Sequence, residues 1–275
     1  ALKMLCEAGI DPGRIIYVSL EGSDIIESFG GDSGALISRC RFCVSPEKRR
    51  AADLERYLGK RLDIEYLPVS LRPVQPVPKQ NTRLKMIYSG YFAEWACVIE
   101  LVRAFAESGL DSELVLQGHS VGTEEYLDMV KYAAGKFPNI HLDTDYYDDE
   151  RHSELLAGMD IGTAFYKNVT GTDNFQNLID SSGKIAAYLW HGLAVLTNLD
   201  DELTRKPPFV YIPEMTGDNI KRAVKYIEQN REAFVNSAYK LACSRYNMDI
   251  YMNKIYDRLI PGAGFRPGAP DLKGS

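Results

Sequence analysis

The stretch "LKMIYSGYFAEWACVIELVRAFAESGLDSELVLQG", residues 84–118, decides the fold class. It opens with a short apolar run that stops at Gly90, as a buried strand ending in a turn would. The segment 94–109 then places Trp95, Val98, Leu101, Val102 and Phe105 at helical spacing and closes on Gly109, a helix C-terminal signal. A second apolar run, 112–118, again ends on glycine. Strand, helix, strand without polar alternation in the strands predicts parallel strands covered on both faces.

The same unit recurs on either side. Downstream, helix "GTEEYLDMVKYAAGKF" (122–137), strand "NIHLD" (139–143), helix "DDERHSELLAGM" (148–159) and strand "DIGTAFY" (160–166) follow in turn. Then come helix "SGKIAAYLWHG" (182–192), strand "AVLTN" (194–198) and strand "PPFVYIPE" (207–214), with helices through most of 217–259. Upstream stand "RIIYVSLE" (14–21), "RFCVS" (41–45), a helix over 45–59 opened by Ser45 and Pro46, and "DIEYLPVS" (63–70). Between the two halves, "LRPVQPVPKQNT" (71–82) has three prolines and no periodicity, which reads as a linker. The expected architecture is α/β, a doubly wound, Rossmann-like parallel sheet in two lobes. Residues 1–70 form a partial first lobe, 71–82 the linker, 83–240 the second lobe, 241–260 a crossing helix and 261–275 an irregular tail.

Bulk properties narrow the function. The chain has 275 residues, 45% of them apolar, and a net charge of −6, so it is no general binder of nucleic acid. No run of 18 or more apolar residues is present, and "ALKMLCEAGIDPGR" lacks the apolar core of a signal peptide. Five cysteines, Cys6, Cys40, Cys43, Cys97 and Cys243, suit a reducing, cytoplasmic setting. Cys40 and Cys43 form a lone CxxC without the second pair that zinc requires. Basic residues crowd 39–61 (Arg39, Arg41, Lys48, Arg49, Arg50, Arg56, Lys60, Arg61). They read either as a solvated helix face or as a contact with an anionic membrane surface or a phosphate-bearing acceptor.

Ligands of such sheets sit at the carboxyl ends of the strands. That rule selects the loops Ser89–Glu94, Gln117–Gly122, Asp143–Asp148 and Tyr166–Lys184. Gly90, Gly118 and Gly183 would let a ligand approach backbone there. Neither GxGxxG nor a phosphate-binding GxxxxGK[ST] motif is present, so a standard dinucleotide or ATP site is not indicated. Ser181, Ser182, Gly183 and Lys184 stand where a helix begins. Unpaired first-turn amides, two hydroxyls and an ammonium there would suit a diphosphate. A serine-capped helix with a solvated lysine is the alternative.

The segment "SGKIAAYLWHGLAVLTN" resembles the S-x-K-[LI]-x-E-Y-L-A-x-G-[LK]-P-V segment of two-domain, B-type glycosyltransferases of the family 4-like group. "KMIYSGYFAEWACVIELVRAFA" is similar to the first strand and helix of that group's donor domain. "ELVLQG", "NIHLD" and "AGMDIGTAFY" are similar to the strands that follow. The upstream part, through "IEYLPVS", resembles the close of an acceptor domain whose earlier strands are missing, which implies a truncated first lobe and part of a longer chain.

The resemblance implies transfer of a sugar from a UDP- or GDP-type nucleotide sugar to a glycan or polysaccharide. The diphosphate would lie at Ser182–Lys184 and near Gly90 and Tyr91. Asp143, Tyr146 and Tyr147 would flank the base, while Gln117, Gly118 and His119 would face the sugar with the 166–180 loop. Asp173, Asp180 and Ser181 are further polar candidates near the donor. No cofactor and no metal are implied, because helix amides and Lys184 would neutralise the leaving group.

The segment also departs from the pattern. The group's two glutamates, with seven residues between them, fall at Ile179 and Ala187, and the proline of its "GLPV" is Ala194. A catalytically inactive binding or partner subunit is therefore the alternative, and an epimerase or phosphorylase of similar architecture a more distant one. No catalytic residue is assigned.

Overall fold

The computed structural model describes residues 2–18, 32–75, 77–79, 81–120, 124–169 and 178–260. The predicted tail 261–275 and Asp173 lie outside these. In chain order the elements are α1 (Leu2–Glu7), β1 (Ile16–Val18), α2 (Asp32–Ile37), β2 (Phe42–Ser45), α3 (Lys48–Leu58), β3 (Ile64–Tyr66), β4 (Lys85–Ser89) and α4 (Val98–Ser108). There follow β5 (Glu113–Gln117), α5 (Glu124–Ala134), β6 (Ile140–Asp143), α6 (Asp149–Ala157), β7 (Ile161–Ala164), α7 (Gly183–Trp190) and β8 (Ala194–Thr197). The last four are β9 (Phe209–Tyr211), α8 (Gly217–Gln229), α9 (Arg231–Arg245) and α10 (Met248–Leu259).

The strands make two parallel sheets. One has three strands in the order β1-β2-β3, and the other six in the order β6-β5-β4-β7-β8-β9. In the larger sheet the chain runs outward from β4 to β5 and β6, then returns to the other side of β4 with β7. The β4–β7 boundary is thus the topological switch point, where a crevice opens beyond the strand carboxyl ends. Strands β7 and β8 are buried at every position, which explains their apolar, non-alternating sequence.

The expected helix over 94–109 is divided. Glu94–Ala96 form a 3-10 turn, Cys97 takes a left-handed conformation (φ 54°), and α4 starts at Val98. The cause is tertiary: the Trp95 carbonyl accepts a hydrogen bond from Lys167 N (2.9 Å), and the Trp95 ring lies parallel to Tyr166.

The smaller sheet is cored on both faces by other elements. Cys43 points with Ile37 and Leu54 to one side, while Phe42 and Val44 point to the other with Leu67, packed by Tyr251, Ile255 and Leu259 of α10. The helical stretch after 231 breaks at Tyr246–Asn247, and α10 alone crosses to the first lobe. Its Arg258 pairs with Asp63 and Glu65. The linker is tied down at its start, since Leu71 N donates to Tyr246 O (3.1 Å) and Met248 N donates to Leu71 O (3.0 Å). No helix among the described residues is long and apolar enough to cross a membrane.

Candidate functional site

Two glycine turns sit side by side at the carboxyl ends of β4 and β5. Gly90 N donates to Gln117 O (3.0 Å), and Gly118 N donates to Asp143 O (3.0 Å). Both glycines take positive φ, 147° and 150°. A Cβ at Gly118 would lie 1.8 Å from the Gly90 carbonyl oxygen, so only glycine allows the two loops to touch.

Beyond these turns opens a cavity of about 230 Å³ whose lining includes Gly90, Tyr91, Gln117, Gly118, His119, Tyr146 and Tyr147. All seven are positions selected from the sequence. Asp143 is not in the lining; it fixes the loop, accepting from Tyr147 OH and from Asp145 N (3.0 Å). Tyr91 and His119 meet edge to face, 4.9 Å between ring centroids. Tyr146 is 84% exposed, a free aromatic face at the rim.

The structure adds residues that the sequence reading missed. Ser89 Oγ donates to Gln117 Oε1 (2.8 Å) and lies 2.7 Å from His152 Nε2, so Ser89 and His152 orient the Gln117 amide. Burial holds the His152 imidazolium below its ordinary pKa, which favours the neutral ring. Nothing in the local sequence of α6 marks His152; only the packing of α6 near β4 brings it there. Asp143-Thr144-Asp145 is moreover an Asp-x-Asp pair at the end of β6, which corrects the expectation from sequence that no such pair stands at a strand end. Asp145 pairs with Arg151 at 3.5 Å. Among the described residues no three His, Cys, Asp or Glu side chains are gathered as metal ligands.

Around the start of α7 the expected convergence is replaced by three separate arrangements. Ser182 Oγ bonds Tyr166 OH (2.7 Å) and is buried. Ser181 Oγ donates to Glu47 Oε1 of the first lobe (3.3 Å), and Gly183 faces Val69. Asp180 is held bidentately by Arg245 and also receives Tyr246 OH. Asp180 lines a different cavity, between the lobes, of about 490 Å³. The two hydroxyls are thus engaged by Tyr166 and Glu47.

Lys184 alone reaches back toward the glycine turns. Its Nζ lies 3.3 Å from where a Cβ on Gly90 would stand. It sits in a box of Tyr88, Tyr166 and Trp95, at 4.2, 5.3 and 6.0 Å from the ring centroids, and is buried with no hydrogen-bond partner. Cation–π attraction offsets part of the desolvation cost. Burial still lowers the Lys184 pKa to about 7. A buried ammonium without a counter-ion weakens the fold, and an anion above Gly90 would relieve that cost.

The positions where the resembling transferases carry glutamates are apolar and buried here: Ile179 is 5% and Ala187 7% exposed.

No family model matches the chain, and no curated protein matches it. Solved structures do. HepE from Anabaena, in complex with UDP and glucose, superposes with a TM-score of 0.66 at 11% identity, over 90% of this chain and 71% of its own. A trehalose-phosphate synthase (UDP-forming) from Burkholderia xenovorans, in complex with glucose-6-phosphate, gives 0.68 at 10% identity, over 94% and 70%. WaaG, a glycosyltransferase of lipopolysaccharide biosynthesis, gives 0.62 at 15%, over 94% and 80%. The fold is therefore the B-type glycosyltransferase fold, with a first lobe shorter than in these structures.

Proposed function

We propose that the chain is a glycosyltransferase that takes a sugar from a nucleoside-diphosphate sugar, of UDP or GDP type, and passes it to a glycan or polysaccharide acceptor. The observation that carries this reading is the cavity at the carboxyl ends of β4, β5 and β6, with abutting glycine turns and the counter-ion-free Lys184 ammonium beneath Gly90. A diphosphate on the Gly90 turn would meet backbone rather than side chains. Lys184 would stabilise the charge that develops as the glycosidic bond to phosphate breaks. Tyr146 and Tyr147 would stack on the base, with Gln117 and His119 toward the sugar. The UDP in the HepE complex supports the nucleotide class, and the UDP-forming synthase agrees with it.

No metal is required in this reading, because fixed positive groups take its place. The reading also places the chain in the cytoplasm, at the inner face of a membrane if its acceptor is lipid-borne. Calorimetric titration of the full chain with UDP and GDP tests it directly. The expected result is saturable binding unaffected by EDTA and weakened by Lys184→Met. Absence of binding by any nucleoside diphosphate to the folded chain would overturn it.

Ile179 and Ala187 favour a second reading, a nucleotide-sugar-binding subunit without transfer, because no carboxylate stands there to hold the ribose or act at the sugar. Donor binding with neither transfer nor donor hydrolysis would select it.

A further inference from the structure

The second cavity is not accounted for by the donor. It lies where the carboxyl ends of β2 and β3 in one sheet face that of β8 in the other, and its volume of about 490 Å³ falls among small-molecule sites. The first turn of α3 opens into it with Lys48 and Arg49, and has no acidic residue. Cations at a helix N-terminus oppose the macrodipole, and together with the first amides they make a site for an anion. Lys254 of α10 faces them across the cleft.

A second observation points to a ligand. Glu47, at the cap position of α3, is only 7% exposed and makes no cap hydrogen bond. Its Oε1 accepts from Asp180 N and Ser181 Oγ, while its buried Oε2 has no partner. An unsatisfied carboxyl oxygen at a cleft wall seeks a hydroxyl or amine donor. Asp180 is neutralised by Arg245, so it does not cancel the positive wall.

We propose that the interlobe cleft binds a phosphomonoester of a polyhydroxylated molecule, its phosphate at Lys48, Arg49 and the α3 amides, and a hydroxyl on Glu47. Calling that molecule the acceptor rests on the transferase reading; the site itself does not.

The test uses the full chain in calorimetry with glucose 6-phosphate, glucose, inorganic phosphate and UDP, and in co-sedimentation with phosphatidylcholine vesicles with and without phosphatidic acid. Glucose 6-phosphate is expected to bind where glucose does not. The double variant Lys48→Glu/Arg49→Glu should weaken it by about tenfold or more, since charge-assisted bonds are lost, and should leave UDP affinity unchanged. Acids at an N-terminus suit the macrodipole, so the variant keeps its helix. Glu47→Gln should weaken the sugar phosphate but not inorganic phosphate. If phosphatidic acid vesicles bind instead, and the double variant does not, the phosphomonoester belongs to a lipid. If neither probe binds, or the double variant binds as well as the wild type, the inference is overturned. Sugar-phosphate binding without UDP binding would leave it standing and remove the donor reading.

Discussion

The two sheets of this protein hold themselves together differently. The six-stranded sheet is covered on both faces by its own helices, with Val98, Val102, Phe105 and Ile220 among the buried residues of one core and Ile185, Leu189, Leu193 and Trp190 in the other. The three-stranded sheet has two small clusters, and one depends on α10, which arrives from the far end of the described chain. The second lobe is cored from within, whereas the first is completed by a borrowed helix. Burial of apolar area is what stabilises a lobe, so local damage should stay local in the first and spread in the second.

Gly118→Ala should have the largest effect. Its Cβ would overlap the Gly90 carbonyl at a positive φ, and strain with displacement of both turns should cost about 4 kcal/mol or more. Urea unfolding measures the loss, and nucleotide binding should vanish with it. A variant of wild-type stability would mean that the turns do not abut.

Ile255→Asp puts a charge where α10 covers β2 and β3, at about 3 kcal/mol. Hydrogen exchange should rise over residues 42–66 and stay slow in β4, β5, β7 and β8. Equal loss of protection in both sheets would break the contrast drawn above.

Lys184→Met should act in the opposite direction. Removing a buried, unpaired ammonium is expected to stabilise the chain by about 2 kcal/mol at pH 7–8 while weakening UDP by about tenfold or more. The sign of its pH dependence follows from burial. The folded pKa is about 7 against 10.5 for a free lysine, so between those values the unfolded chain holds the extra proton. Stability from this group therefore rises as pH rises from 7 to 10.5, and the variant should lose that slope. Destabilisation by Lys184→Met would sink the functional reading of this lysine.

Glu47→Gln should be the smallest change, under about 1 kcal/mol near pH 4.5, where the carboxyl is protonated and the amide is nearly isosteric with it. Burial and the Asp180 charge push the Glu47 carboxyl up to about 7. Its contribution is thus full below the ordinary value of 4.5 and is lost as pH rises through 7, the reverse of Lys184. Thermal melts from pH 4.5 to 7.5 should be flatter in the variant.

Much of the fold was legible because its signals are local. Apolar strands β4, β5, β7 and β8, the glycines at 90, 109 and 118, and the Ser182 start of α7 are all read within a few residues. The glycine turns at the ends of β4 and β5 were likewise legible as turns. The grouping at α7 was not, because chain neighbours need not share an environment. Ser181 bonds to Glu47, 134 residues away, and Asp180 to Arg245, 65 residues away.

The sequence by itself determined the alternation of strand and helix and the loops at the strand ends, since periodicity and turn chemistry act over short range. Only the tertiary structure decided that Lys184 would be buried among Tyr88, Trp95 and Tyr166, that His152 would orient Gln117, and that Asp180 would serve the interlobe cleft. Those outcomes depend on strand order and on which lobe meets which helix, and these follow from the packing of the whole chain.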